Sequence, residues 1–218
     1  MVQDIVVIGR PPFSFAREVV WAIEEINKYS AKWNILGFVS DVNVDQYVNG
    51  YPVIGNTDWL KKYDKPINAI FGFSDFIVKK DLIKEFSVNE NIRYPNIVAP
   101  DVKQSRFVEY GEGCVICSGT IMTVNISIGS HVVINLDCTI GHDAVIKDFC
   151  VLAPSVNISG NVSLDEGVYV GTGANIIEKV SIGANTTIGA GAVVIKDIPM
   201  NCVAVGSPAK PIKFKNAL

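Results

Sequence analysis

The chain holds only two histidines, His131 and His142, and the second stands in the run Gly141-His142-Asp143. An imidazole beside a carboxylate suits general-base work. The carboxylate favours the protonated ring and can fix the tautomer of the neutral one. Neighbouring side chains often point apart, so contact between His142 and Asp143 is expected to require a turn. Taken singly, each histidine reads equally well as an ordinary surface residue. Two histidines fall short of a three-histidine zinc site, and no metal is expected. The five cysteines stand at 114, 117, 138, 150 and 202. Cys114-x-x-Cys117 has no second CxxC, and packing explains it better than redox or metal chemistry. No cysteine adjoins a histidine in sequence, so no covalent intermediate is expected.

The stretch that must position His142 keeps a six-residue beat. From Ile116 the sixth residues read Met122, Ile128, Ile134, Ile140, Ile146, Leu152, Ile158, Leu164, Val170, Ile176, Ile182, Ile188, Val194 and Met200, all aliphatic or Met. Two residues before each slot stands a mostly small or β-branched residue, among them Cys114, Cys138, Ala144 and Cys150. Neither a helix nor a flat alternating strand holds such a period, whereas hexapeptides are the repeat of parallel β-helices. A β-sandwich would place turns at varied intervals. Each hexad supplies one short strand and one corner, with the slot residue filling a triangular prism. Three hexads close a coil of eighteen residues, so the prism has about five coils and is roughly 24 Å long. The glycines that follow slots, such as Gly129 and Gly141, are expected at corners for their conformational freedom. His142 falls at a corner, pointing outward. The beat does not give the handedness.

Upstream, strand and helix patterns alternate. Ile5–Gly9, Ile35–Val39 and Ile67–Phe73 read as buried strands. A helix from Phe15 puts Ala16, Val19, Ile23 and Ile26 on one face. Two more helices are expected over 58–63 and up to about Phe86, capped by Thr57 and Ser74. Residues 1–95 are therefore expected to form a small Rossmann-like α/β unit with a parallel sheet, and residues 96–218 the β-solenoid with a C-terminal tail. Ligands of such sheets sit beyond the carboxyl ends of the strands, which gathers Gly9, Ser40 and Asp41 at one crevice. Asp41 reads equally as a solvated turn residue. The loop after Gly9 carries Pro11 and Pro12, which lack N–H donors, so it is a poor phosphate cradle.

Net charge is −3 with no basic run, which argues against a nucleic-acid partner. No apolar stretch is long enough to span a membrane, and MVQDIVVIGR does not read as a signal peptide. A reducing cytoplasm is expected.

The runs Ile140–Pro154, Gly189–Pro199 and Val205–Pro211 resemble the left-handed β-helix acyltransferases, and within them the sialic acid O-acetyltransferase-like family. That family includes bacterial N-acetyltransferases acting on nucleotide-linked amino-deoxy sugars. The resemblance implies a left-handed coil, a homotrimer with clefts between prisms, and acetyl-CoA as acyl donor. It implies His142 as catalytic base, with Asp143 raising its basicity. Asn135 would line the same pocket, and Val151, Ala153, Gly160, Thr172 and Ala190 would meet acetyl-CoA largely through backbone groups. Gly9, Ser40 and Asp41 would meet the nucleotide. Where the family commonly has a Gly-Ala-Ser-Gly-His-Gly-like run, this chain has Gly9–Ser14. The expected reaction is direct acetyl transfer, with a backbone N–H steadying the oxyanion. The alternatives are O-acetylation of a sugar or of a small hydroxyl acceptor such as serine and, last, a non-catalytic trimeric scaffold.

Overall fold

The computed structural model describes residues 2–42 and 47–215. The chain divides into two compact units, Met1–Pro100 and Asp101–Leu218.

In the first unit, β1 (Gln3–Ile8), β2 (Trp33–Val39), β3 (Tyr47–Val48), β4 (Tyr51–Gly55), β5 (Ile67–Phe71) and β6 (Ile92–Arg93) form a sheet in the order β3-β4-β2-β1-β5-β6. It is parallel except where β3 meets β4. Its helices are α1 (Ser14–Tyr29), α2 (Thr57–Lys61) and α3 (Phe76–Phe86). The α1 face of Ala16, Val19, Val20 and Ile23 is buried, and Val6, Ile8, Val39, Leu60, Phe71 and Phe86 form a core cluster. Both expected caps are one residue off. Asn56, not Thr57, accepts from the N–H of Trp59, and Asp75, not Ser74, accepts from that of Val78.

The second unit is a parallel β-solenoid. Two-residue strands pair at an offset of eighteen residues, as in Val115↔Val133↔Val151↔Tyr169. They stack into three walls. The first contains Val133–Ile134 and Val151–Leu152, the second Thr139–Ile140 and Asn157–Ile158, the third Val145–Ile146 and Ser163–Leu164. Every slot residue from Ile116 to Val194 is buried, as is every residue two before it. All five cysteines are buried free thiols. A thiol there serves as a small apolar filler, and its burial pushes Cys138 up to about 11 and Cys150 to about 12.

Met200 breaks the frame, because it is exposed and Ile198 takes the inward place opposite Ile182. The last coil is therefore shorter by two, and Thr187 pairs with Val203 at an offset of sixteen. The glycine expectation also fails. The positive-φ residue of each corner lies three past the slot, a column of Gly113, Gly119, Asn125, His131, Asp137, Asp143, Phe149, Ser155 and onward, with φ of 55–63° for the non-glycines from Asn125 to Asn185. Gly129 and Gly141 are needed for space instead. A Cβ on Gly141 would lie 2.6 Å from the backbone nitrogen of Gly160 in the next coil. His131 is not a surface residue either, since it is buried and stacks on Phe149 with ring centroids 5.4 Å apart.

Candidate active site

One edge of the prism, between the second and third walls, carries Gly141-His142-Asp143. Asp143 holds the left-handed corner with φ 59°, and its N–H donates to the carbonyl of Val124 one coil earlier. The His142 carbonyl accepts from Asn161 N–H in the following coil. The left-handed backbone swings the carboxylate back along the chain, and Asp143 Oδ2 lies 2.8 Å from His142 Nδ1. Both side chains are about half exposed. This is the turn the contact required. Hydrogen bonds from His142, and secondarily from Asn125, hold the Asp143 carboxyl below its ordinary 3.8. A carboxylate only accepts, so the proton of the neutral imidazole sits on Nδ1 and Nε2 keeps its lone pair.

The ring rests on bare backbone. A Cβ at Gly160 would lie 2.6 Å from both Nε2 and Cε1 of His142. Asn125, absent from the expected site residues, donates from Nδ2 to Asp143 Oδ1 at 3.2 Å. Its signal was available: a coil of eighteen residues puts position 125 directly before position 143.

The expected site residues fall on three places. His142, Asp143 and Gly160 share the edge just described. Asn135, Ala153, Thr172 and Ala190 belong to the edge between the first and second walls, with Val151 in the adjoining strand. The N–H groups of Val151 and Ala153 already donate to the carbonyls of Val168 and Val170, so any contact these two residues make with a ligand falls to their other atoms. Among the described residues, the N–H groups of Thr172 and Ala190 have no protein acceptor. The Asn135 carboxamide oxygen accepts from the N–H of Leu136 at 2.7 Å.

Gly9, Ser40 and Asp41 line a crevice of about 190 Å³ in the first unit, together with Arg10, Thr57 and Phe73. Asp41 Oδ1 accepts from Thr57 N–H at 2.8 Å and from its hydroxyl at 2.7 Å, so it is more than a solvated turn residue. The Gly9 N–H is spent on the carbonyl of Val39. Arg10 lies 3.7 Å from Asp75 and faces the Phe73 ring. Among the described residues, no cluster of three His, Cys, Asp or Glu is placed to hold a metal, and no helix is long and apolar enough to cross a membrane.

No protein-family profile matches the chain. A Schizosaccharomyces pombe acetyltransferase is 33% identical over 169 residues, covering 70% of this chain and 79% of that one. The chain belongs to the hexapeptide-repeat acetyltransferases. GDP-perosamine N-acetyltransferase of Escherichia coli O157:H7 is 29% identical over 213 residues, covering 92% of this acetyltransferase and 93% of the relative. Among solved structures, a histidine-to-asparagine mutant of perosamine N-acetyltransferase from Caulobacter crescentus, in complex with CoA and GDP-perosamine, aligns with TM-score 0.87 at 25% identity, covering 98% of each chain. The acetyltransferase domain of PglB from Neisseria gonorrhoeae, in complex with acetyl-CoA, aligns with TM-score 0.88 at 26% identity, covering 97% of this chain and all of that one.

Proposed function

We propose that this acetyltransferase N-acetylates a nucleotide-linked amino-deoxy sugar by direct transfer from acetyl-CoA, with His142 as general base. The observation that carries it is the 2.8 Å contact between His142 Nδ1 and Asp143 Oδ2 on an exposed prism edge. With Nδ1 engaged, Nε2 takes the proton of the acceptor amine as its nitrogen attacks the thioester carbonyl. The C–N bond forms, the C–S bond breaks, and the proton passes from Nε2 to the departing thiolate. Asp143 stabilises the imidazolium formed in between. Thr172 and Ala190 are the residues that would hold the donor, since their free N–H groups suit the carbonyls of a pantetheine arm.

The base and these amides occupy different edges of one prism. A left-handed homotrimer would bring the base edge of one copy against the amide edge of the next. In the first unit, read as a Rossmann-like substrate domain over 1–95, Ser40 and Asp41 would meet the nucleotide beside Gly9, and Asn135 would line the acceptor pocket. The likeness over the full length to GDP-perosamine N-acetyltransferase supports a nucleotide sugar. The buried free thiols fit a reducing cytoplasm. One feature favours O-acetylation of an acceptor without a nucleotide: the Gly9 N–H is spent, and Pro11 and Pro12 have none to offer a diphosphate.

The test is acetyl-CoA turnover over a panel of UDP-, dTDP- and GDP-linked amino sugars, with calorimetry for binding. His142→Ala is expected to lose about 10²–10⁴-fold in turnover while still binding acetyl-CoA. Unchanged turnover would falsify the base role, and calorimetry with no heat for any nucleotide sugar would favour the second acceptor class.

A further inference from the structure

We infer that Asn125 is a positioning residue for the acetyl transfer, aligning His142 through Asp143; the inference rests on His142 being the base. Asp143 spends each carboxylate oxygen on a different nitrogen. Oδ2 faces His142 Nδ1 at 2.8 Å and Oδ1 accepts from Asn125 Nδ2 at 3.2 Å. The backbone beneath is fixed as well, because Asp143 N–H donates to the carbonyl of Val124, the neighbour of Asn125. The carboxylate can still rotate about its own bond. Without the amide from Asn125, water competes for both oxygens and the preferred orientation toward Nδ1 is lost. The imidazole then exchanges tautomers, and Nε2 carries a proton for part of the time instead of a lone pair.

Corner geometry alone does not account for this asparagine. Asn125 is left-handed with φ 55°, a conformation asparagine tolerates better than most residues. Yet other corners of the solenoid hold His131, Phe149, Ser155 and Lys179 in that conformation. The position admits other side chains, and this one carries a donor directed at the partner of the base.

Asn125→Gly and Asn125→Asp separate the two roles, because both residues accept a left-handed corner. A purely structural asparagine is replaced equally well by either. A positioning asparagine is replaced by neither. Glycine supplies no donor, and aspartate sets a second carboxylate against Asp143. With acetyl-CoA and GDP-perosamine as probes, or the panel sugar that turns over in its place, Asn125→Gly is expected to lower kcat about tenfold, the weight of one ordinary hydrogen bond. KM for acetyl-CoA is expected to stay unchanged. Asn125→Asp is expected to lose more, and both variants should melt within a few degrees of the parent.

A readout free of turnover is the ring ¹⁵N spectrum of the resting protein. With two histidines in the chain it contains two ring systems, and His142→Asn assigns them. The parent should show His142 protonated on Nδ1, and Asn125→Gly a mixture of tautomers. A parent-like tautomer in Asn125→Gly, or full kcat in both variants, overturns the proposal. Should His142→Asn turn over like the parent, the base reading falls instead, and the ring spectrum still decides the role of Asn125.

Discussion

Replacing Gly160 with alanine tests the site with a single methyl group. The three atoms nearest to the added Cβ all belong to the His142 ring, with Nε2 and Cε1 each at 2.6 Å. Ordinary contact begins at 3.4 Å, so the ring must retreat by roughly 0.8 Å. The ring is free to move, because it is half exposed and its hydrogen bond among the described residues is the one through Nδ1. Gly160 does not have a positive φ, so alanine adds no backbone strain there. The methyl group should therefore cost little stability and much rate. A displacement near 1 Å at a reacting group costs up to about 10²-fold, so a fall in kcat of roughly 30–100-fold is expected. The assay is release of free CoA thiol from acetyl-CoA, with thermal melting alongside. In a His142→Asn background the same methyl group should have no further effect, since the ring it displaces is gone. Full activity in Gly160→Ala, or an equal further loss in the double variant, would refute the geometry.

Three other outcomes follow from the same geometry. Gly141→Ala should destabilise by about 2–3 kcal/mol, seen as a lower urea midpoint, because its Cβ meets the rigid backbone nitrogen of Gly160 at 2.6 Å instead of a movable ring. The five buried thiols should stay inert to a disulfide reagent until the protein unfolds, with Cys138 and Cys150 held near 11 and 12. Asp143, whose folded-state carboxyl is held below 3.8, should be ionised throughout the neutral range. Whatever its pairing contributes is then present above the ordinary carboxyl value and lost only as pH falls through the lowered one. A carboxyl ¹³C titration with a midpoint above 3.8 would contradict this.

Much of the solenoid was legible in the sequence, since the inward slots follow a period that no other element keeps. Met200 misled because its side chain suits the slot as well as Ile198 does. The clue lay two residues out of frame, in Cys202 and Ala204, which are buried sixteen after Thr186 and Ile188. The helix caps at Asn56 and Asp75 were missed because each adjoins another residue able to cap. The His142–Asp143 contact could be anticipated only as dependent on a turn. What makes it is a φ of 59° at Asp143, and a backbone angle set by the coil is not written in residue type. Asn125 is the reverse case, legible once eighteen was accepted as the coil length. The N–H commitments of Gly9, Val151 and Ala153 are not legible in the sequence, because side-chain identity says nothing about which N–H a ladder consumes.

A stack of parallel coils has no inherent length, since its final turn offers the same unpaired edge as every turn before it. Here Cys202–Gly206 joins the first wall in parallel and Ala209–Phe214 then returns antiparallel beside it. The reversal breaks the registry another coil would copy, with Pro208 in the turn and Pro211 removing a donor from the returning strand. The hairpin thus terminates the first wall, and removing it should leave the Thr187–Ile188 strand edge open to pairing with another chain.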